Sequence, residues 1–249
     1  MIRFHARLRA AIAVPVLLAL AACGGGETDG EAPRGEPIAA VPAPEGQQWA
    51  QIAEVTPEDG YRIGNPDAPL KVMEYASLTC PACARFSMDG NAALDEYVDT
   101  GVVSYELRNQ VHNVLDLTLA MLVRCGEPES FHPLSNQVWA NLNDVLAPSQ
   151  ENSEAINAAM QGPPEQRFQT IAQAAGFLDF FAARGISRDQ AMQCLADPAA
   201  GEAIASRSQT QSEELDVTGT PTFFLNGRKL ESVVGWSELE PILQNAGAR

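Results

Sequence analysis

Leu78-Thr79-Cys80-Pro81-Ala82-Cys83-Ala84-Arg85-Phe86 is the stretch of sequence on which the predicted fold depends. The apolar run at residues 70–76 predicts a strand, so Cys80 falls where a strand passes into a helix. Pro81 suits the first helical position, because that position needs no backbone N–H. A helix N-terminus favours negative charge and therefore stabilises a thiolate. Cys80 and Cys83 thus predict a redox-active pair.

The composition is that of one acidic globular unit. At 249 residues with 45% hydrophobic content, the chain can bury one sizeable core. Its 16 basic and 32 acidic residues give a formal net charge of -16. This charge argues against sequence-independent binding to nucleic acid or to an anionic bilayer surface, since both favour cationic proteins. We therefore expect no nucleic-acid partner.

The first 22 residues predict a bacterial lipoprotein signal peptide rather than folded structure. Three arginines precede an apolar stretch at residues 10–22, which is too short and too interrupted by proline to span a membrane stably. The junction Leu20-Ala21-Ala22-Cys23 resembles a lipobox, which implies lipidation of Cys23 and a lipid anchor. The alternative is an ordinary secretory peptide cleaved near Ala22. Both interpretations predict export.

Beyond the signal peptide, the chain divides into a tether and one folded domain. Residues 23–48 are rich in glycine and proline and contain little to bury, so they predict a flexible tether. The folded domain is expected at residues 49–249. Residues 61–69 are rich in turn formers and predict a connection that leads into the first core strand.

Hydrophobic periodicity predicts an α/β fold with a helical insertion. Residues 70–107 have the pattern of a strand, a helix and a second strand. No strand pattern follows from about residue 115 to 215, where short helical segments recur. The chain then closes with two strands joined by Asn226-Gly227, a pair that favours tight hairpins, and with a helix at about residues 236–245. This order predicts a sheet with helices on its faces and an inserted all-helical domain.

Four cysteines remain once Cys23 is assigned to the lipid, and four cysteines allow three pairings. Export places them in an oxidising compartment, in which pairing is expected. Their short spacing favours Cys80 with Cys83. This choice leaves Cys125 with Cys194 as a candidate second disulfide.

Three motifs along the chain carry a resemblance to a known family. The first is Val72-Met73-Glu74-Tyr75 leading to Cys80-Pro81-Ala82-Cys83, the second is Val217-Thr218-Gly219-Thr220-Pro221-Thr222-Phe223, and the third is Asn226-Gly227. In combination they resemble the DsbA-like thiol:disulfide oxidoreductases of bacterial envelopes. The similarity extends from about Tyr61 to the C-terminus. It implies a thioredoxin fold with an inserted all-helical domain.

The resemblance also implies roles for five residues. In this family the first cysteine, here Cys80, is the exposed nucleophile, and the second, Cys83, resolves the mixed disulfide. Pro221 matches a cis-proline beside the cysteines, and the backbone of Thr220 matches a position that pairs with extended substrate segments. Glu74 matches an acidic position beneath the active site, which implies a proton relay for Cys83. The alternative for Glu74 is a solvated side chain at the edge of the sheet.

Two properties remain open after this comparison. Pro81-Ala82 stands between the cysteines where the best-known DsbA has Pro-His, so we expect a less oxidising disulfide than in that enzyme. Cys125 and Cys194 resemble the second disulfide of some alphaproteobacterial-type DsbA proteins. Such a bridge is either a structural staple or a regulatory bridge that tunes the first site.

The sequence therefore predicts an enzyme that introduces disulfides into exported proteins. By resemblance, it faces the periplasm from an inner or outer membrane, uses no cofactor or metal, and is reoxidised by a DsbB-like membrane partner linked to quinone. We expect a monomer, because residues 24–48 are too rich in glycine and proline to form a helical dimerisation stem.

Two alternative functions are weighed against this prediction. One is a disulfide isomerase or reductase of the same fold. The other is a non-catalytic lipoprotein that binds metal through its thiols, in which His112 and His132 would add ligands to the cysteines. We interpret both histidines as capping or surface residues instead. No G-x-S-x-G motif of a serine hydrolase occurs.

Overall fold

The computed structural model describes residues 35–249 of the chain. In that part, one sheet contains six strands: β1 (Ala53–Val55), β2 (Tyr61–Gly64), β3 (Leu70–Ala76), β4 (Val103–Asn109), β5 (Thr222–Leu225) and β6 (Arg228–Lys229). They lie in the order β1-β2-β4-β3-β5-β6. The central pair β3 and β4 is parallel, and the other neighbouring strands are antiparallel.

A strand–helix–strand unit forms the middle of the domain. Parallel strands need a crossover connection, and the helix α1 (Pro81–Asp99) supplies it between β3 and β4. Most residues of both strands are buried, as expected for central strands of a sheet that is covered on both faces. The predicted strand at residues 70–76 and the predicted proline at the first helical position are confirmed. Cys80 lies at the N-cap of α1, directly beyond the buried end of β3.

A helical block separates β4 from β5. It consists, within the described residues, of α2 (Val114–Val123), α3 (Pro128–Ala140), α4 (Leu142–Glu151), α5 (Ser153–Gln161), α6 (Pro164–Ala174), α7 (Phe177–Ala182), α8 (Arg188–Cys194) and α9 (Pro198–Leu215). Each of these helices buries apolar side chains, and their buried residues form one cluster with those of the sheet. The predicted fold class, an α/β fold with an inserted all-helical segment, is confirmed.

The chain ends in the predicted hairpin and helix. Asn226 and Gly227 both have positive φ angles, 50° and 78°, as a tight turn between twisted strands requires. The Asn226 side chain also accepts from the backbone N–H of Lys71 at 2.8 Å, which attaches the turn to β3. The closing helix α10 (Trp236–Asn245) packs against α1.

The predicted signal peptide at residues 1–22, the lipidated Cys23 and the tether as far as residue 34 lie outside the described residues. In residues 35–249, none of the helices is both long enough and apolar enough to cross a bilayer.

The described end of the predicted tether, residues 35–48, contacts the domain. The backbone N–H groups of Gly35 and Ile38 donate to the carbonyls of Asn245 and Gly247, both at 2.9 Å. Ile38 is also partly buried against the core. The folded unit therefore begins before residue 49, where the sequence places its start.

Candidate active site

The two cysteines of the predicted redox pair lie together at the start of α1. Cys80 is partly exposed and Cys83 is fully buried, and neither forms a disulfide in this structure. The sulfur of Cys80 accepts a hydrogen bond from the backbone N–H of Cys83 at 3.5 Å. The first backbone N–H groups of a helix have no partner within the helix, and a side chain at the N-cap position can accept a hydrogen bond from them. The local sequence thus places Cys80 Sγ where a negative charge is favoured.

The electrostatic environments of the two thiols are opposite. The pKa of Cys80 is lowered from 9.0 to about 5, chiefly by a hydrogen bond from the Cys83 thiol, with further hydrogen bonds from the Thr220 side chain and from backbone N–H groups. The pKa of Cys83 is raised, first by burial and then by its hydrogen bond to Cys80 and the charge of Glu74. At neutral pH the arrangement therefore contains one exposed thiolate and one buried thiol.

The segment before β5 forms a second wall of the site. The Thr220–Pro221 peptide bond is cis. The Cys80 sulfur lies 3.3 Å from the Thr220 carbonyl oxygen, to which it donates when it is protonated, so this backbone borders the reactive sulfur. The Thr220 hydroxyl is in turn 3.0 Å from Nε2 of His112. The structure thus places the Thr220 backbone beside Cys80, and the cis-proline follows it in the chain.

Glu74 lies beneath the cysteines in the central strand β3. It has no solvent exposure, and its neighbours in the adjacent strands are Leu107 and Phe223, so it is not at a solvated edge. Tyr105 donates a short hydrogen bond to Oε2, whereas Oε1 has no partner among the described residues. Burial raises the pKa of Glu74 from 4.5 to about 8, and the Tyr105 hydrogen bond offsets part of that effect. The carboxyl is therefore mostly protonated at neutral pH.

Asp116 is a site residue that the sequence analysis missed. Its two carboxylate oxygens accept from the backbone N–H of Leu78 at 2.9 Å and from that of His112 at 3.0 Å. One buried side chain thus fixes both the segment before Cys80 and the loop that carries His112. Burial raises the pKa of Asp116 to about 6, and these hydrogen bonds act against the rise. The Asn113-x-x-Asp116 spacing, which resembles a capping box, was the available sequence signal.

Of the two histidines, His112 is at the surface as expected and His132 is not. His112 is exposed, but its ring contacts Thr220 in the active site. His132 is buried in α3 and its Nε2 lies 2.9 Å from the Tyr61 carbonyl, so its interpretation as a capping or surface residue is wrong. Burial lowers the pKa of His132 from 6.5 to about 4. In the part of the chain that the structure describes, no three His, Cys, Asp or Glu side chains cluster as metal ligands.

Cys125 and Cys194 form a disulfide that is separate from the active site. It joins the residues after α2 to the end of α8, with a Cα–Cα distance of 5.9 Å. The bridge borders a cavity of about 620 Å³ whose other walls include Arg124, Arg207 and Asp59. Neither cysteine of the first pair lines this cavity.

Comparison with known proteins gives relatives of one kind. A profile of the family described as thioredoxin matches residues 56–245. A Rickettsia bellii protein named as a candidate protein-disulfide oxidoreductase is 25% identical over 177 residues, which cover 70% of this chain and 60% of that protein. A similarly named Rickettsia typhi protein is 28% identical over 68% of this chain and 56% of its own length. The chain therefore spans less than two thirds of these relatives.

Solved structures show the same architecture. The structure of a protein-disulfide isomerase from Novosphingobium aromaticivorans superposes with a TM-score of 0.69 and 29% identity, covering 77% of this chain and 97% of that one. Wolbachia pipientis alpha-DsbA1 superposes with a TM-score of 0.61 and 22% identity, over 77% and 92%. The predicted thioredoxin fold with a helical insertion is confirmed by these similarities.

Proposed function

The chain belongs to the thioredoxin family, and from this premise we propose that it is a thiol:disulfide oxidoreductase that introduces disulfides into exported proteins of the bacterial envelope. The observation that carries the proposal is the opposite ionisation of Cys80 and Cys83. A thiolate is the form that attacks or leaves in exchange, and the low pKa of Cys80 keeps it in that form at neutral pH. Relatives of the chain are named as candidate protein-disulfide oxidoreductases, which supports the same activity.

Disulfide donation follows two exchange steps. In the oxidised protein a substrate thiolate attacks Cys80 Sγ, the Cys80–Cys83 bond breaks, and Cys83 leaves with the electron pair and takes up a proton. A second substrate thiolate then attacks the substrate sulfur of the mixed disulfide, and Cys80 leaves as a thiolate. The substrate loses two electrons and gains a disulfide, and the Cys80/Cys83 pair is reduced by the same two electrons.

Glu74 is proposed to supply the proton in the first step. Its carboxyl is mostly protonated at neutral pH and its charge acts on the buried Cys83 sulfur. Cys83 cannot leave as a stable buried anion, because burial strongly disfavours its thiolate. A proton donor beneath it therefore lowers the cost of that step. In the reverse direction the ionised Glu74 accepts the same proton.

The oxidase direction is supported by the ionisation of the reduced form. A low pKa at Cys80 stabilises the reduced protein relative to the disulfide, which makes the disulfide a stronger oxidant. Isomerase or reductase action is the second candidate, because the Novosphingobium aromaticivorans relative is described as a protein-disulfide isomerase.

The remaining parts of the proposal concern location and partners. Lipidation at Cys23 would hold the domain at a membrane of the envelope, facing the periplasm. Reduced exported proteins are the proposed substrates, and their extended segments would pair with the backbone of Thr220 beside Cys80. A DsbB-like membrane protein would accept the two electrons from the reduced pair, and the protein would act as a monomer.

The test is the reduction potential of the Cys80/Cys83 pair, measured together with refolding of a reduced multi-cysteine protein. Thioredoxin has a reduction potential of about -270 mV, and we expect the potential of this pair to be well above that value. We also expect stoichiometric disulfide transfer. Cys80→Ser should abolish transfer, whereas Cys125→Ser/Cys194→Ser should retain it. A thioredoxin-like potential without transfer would refute the oxidase direction, and rearrangement of scrambled disulfides would favour the isomerase.

The metal-binding alternative has its own readout. The purified protein is analysed for zinc and copper, with the reduced Cys80→Ser variant as a control. A stoichiometric metal that is lost in this variant would contradict the exchange function and support the thiol-based metal carrier.

A further inference from the structure

A cavity of about 280 Å³ lies beside the active site, between the loop that follows β4, the start of α2 and the helices α5 and α6. Two residues of its wall contact the residues that flank Cys80. The side chain of Asn113 donates to Oγ1 of Thr79 at 3.3 Å, and Nε2 of His112 lies 3.0 Å from Oγ1 of Thr220. The cavity therefore begins one side chain away from the immediate neighbours of the reactive sulfur.

Most of the cavity wall is apolar. Five apolar side chains contribute to it: Val111, Val114, Leu117, Met160 and Phe168. In the described part of the chain, Arg167 on α6 is the one permanently charged side chain that lines this cavity. The cavity thus combines apolar walls with a single cation.

The guanidinium group of Arg167 has no partner among residues 35–249. Its Nε is buried and makes no hydrogen bond there, and the group forms no ion pair with a carboxylate of these residues. Arg124 and Arg207, in contrast, both pair with Asp59. A buried donor without an acceptor is costly, and a guanidinium cannot escape this cost by losing its proton. Arg167 is therefore able to bind an anionic group that enters the cavity.

We propose that this cavity is a subsite for an acidic side chain of the substrate polypeptide, and that Arg167 selects that side chain. A glutamate fits both features of the cavity. Its methylene groups would contact the apolar walls, and its carboxylate would accept hydrogen bonds from the guanidinium group of Arg167, which matches a carboxylate in shape and charge. The inference deepens the proposed exchange function and rests on it, since the occupant belongs to the polypeptide whose backbone pairs with Thr220.

The occupant is a side chain close to the substrate cysteine. A substrate cysteine bonded to Cys80 lies beside Thr220, whose side chain contacts the cavity wall. An extended chain advances about 3.3 Å per residue and alternates its faces, so a side chain within about three positions of the cysteine can reach the cavity. The net charge of -16 disfavours acidic segments over the rest of the surface. Arg167 therefore gives a preference at one position and no general affinity for acidic proteins.

The experiment measures how fast the reduced protein reacts with short peptides whose single cysteine is joined by a disulfide to a coloured aromatic thiol. The Cys80 thiolate attacks the peptide sulfur, a Cys80–peptide disulfide forms, and the aromatic thiolate leaves with the electron pair. Cys83 then displaces the peptide thiol and closes the Cys80–Cys83 disulfide. Release of the coloured thiolate gives the second-order rate constant of the first step. Glutamate, glutamine, leucine or lysine is placed in turn at each of three positions on either side of the cysteine.

At one of these positions, the glutamate peptide should react about tenfold faster than the glutamine peptide, the effect of one charge-assisted hydrogen bond. The ratio should shrink as salt is raised, because a partly exposed ion pair is screened. Arg167→Gln should bring the ratio close to one, and Arg167→Glu should make the lysine peptide the faster one. Arg228→Gln makes the same change of charge at an exposed residue outside the cavity and should keep the wild-type ratio. An unchanged rate with the glutamine peptide shows that each variant is folded and active.

Three results would overturn the proposal. Equal rates of the glutamate and glutamine peptides at every position would exclude the subsite. A glutamate preference that persists in Arg167→Gln would assign it to another cation, such as Arg85 on α1. A leucine peptide that reacts faster than the glutamate peptide would make the cavity an apolar subsite. If the preference depends on Arg167 but the oxidised protein transfers no disulfide to a reduced protein, the proposed oxidase direction fails while this inference stands.

Discussion

Replacement of Glu74 with glutamine tests the buried carboxyl beneath the cysteines. Its pKa is raised from 4.5 to about 8. Below pH 4.5 the group is mostly neutral in both the folded and the unfolded chain, so its burial does not lower the free energy of unfolding through ionisation. As the pH rises toward 8, the unfolded chain releases this proton but the folded chain retains it, and the folded state loses stability. The cost is about 3 kcal/mol at pH 7 and reaches about 5 kcal/mol above pH 8.

Glutamine has the same shape and no charge, and its amide oxygen can still accept from Tyr105. We therefore compare the free energy of unfolding of the reduced variant and wild type in urea. Glu74→Gln minus wild type should increase by about 3 kcal/mol from pH 4.5 to pH 7. Exposed Glu231 is the matched control, and Glu231→Gln should follow the wild type at every pH. The difference between Glu74→Gln and wild type is the quantity of interest, since it cancels all other titrations.

The same variant should be a poorer catalyst. Without a proton donor for Cys83, oxidation of a reduced dithiol peptide at pH 7 should slow by about 100-fold, the lower end of the range for general acid catalysis. A stability difference that stays constant from pH 4.5 to pH 8 would refute the electrostatic reasoning. A stability gain with an unchanged rate would instead show that Glu74 is buried without acting as a relay.

Three further predictions concern the residues around this site and the second disulfide. Cys125→Ala/Cys194→Ala should lower the free energy of unfolding by about 3 to 4 kcal/mol in urea, because the bridge closes a long loop. Asp116→Asn should lower it by about 1 to 3 kcal/mol, because an amide N–H₂ would face one of two buried N–H donors; thermal unfolding measures this. For His132→Gln, the free energy of unfolding relative to wild type should increase by about 2 kcal/mol from pH 7 to pH 5, measured by urea unfolding at each pH. The reason is that the buried imidazole of the wild type resists the proton that the unfolded chain accepts.

The parts of the fold that were predictable are those with a local cause. β3, α1 and the terminal hairpin each follow from a contiguous pattern, and Asn226-Gly227 sets its own turn. β1 and β2 were missed, because strands of three and four residues are too short for periodicity and residues 61–69 look like a turn. β2 pairs with β4, about 40 to 46 positions away, and β1 pairs with β2, so neither strand has a local cause. Helix α7 is likewise too short for periodicity to indicate it, since six residues give less than two turns.

The residues of the candidate site also separate into those with a local sequence signal and those without one. Cys80, Cys83 and Pro221 lie in motifs whose spacing along the chain is informative. Tyr105 and Asp116 could not be assigned, because they reach the site through the register of β3 with β4 and through the turn into α2. A parallel register is set by packing over the whole sheet and leaves no short pattern in the sequence.

Two buried groups beside Tyr105 have opposite effects on the pH dependence of stability. Tyr105 donates to Glu74, and its ring lies 5.2 Å from that of His132. The raised pKa of Glu74 removes stability as the pH rises from 4.5 to 8, whereas the lowered pKa of His132 removes it as the pH falls from 6.5 to 4. Between pH 4 and pH 7 each cost changes by about 3 kcal/mol, in opposite directions, so the two largely cancel. The domain can thus keep a protonated carboxyl beneath its cysteines without a steep change of stability between pH 4 and pH 7, and only the single variants expose either cost.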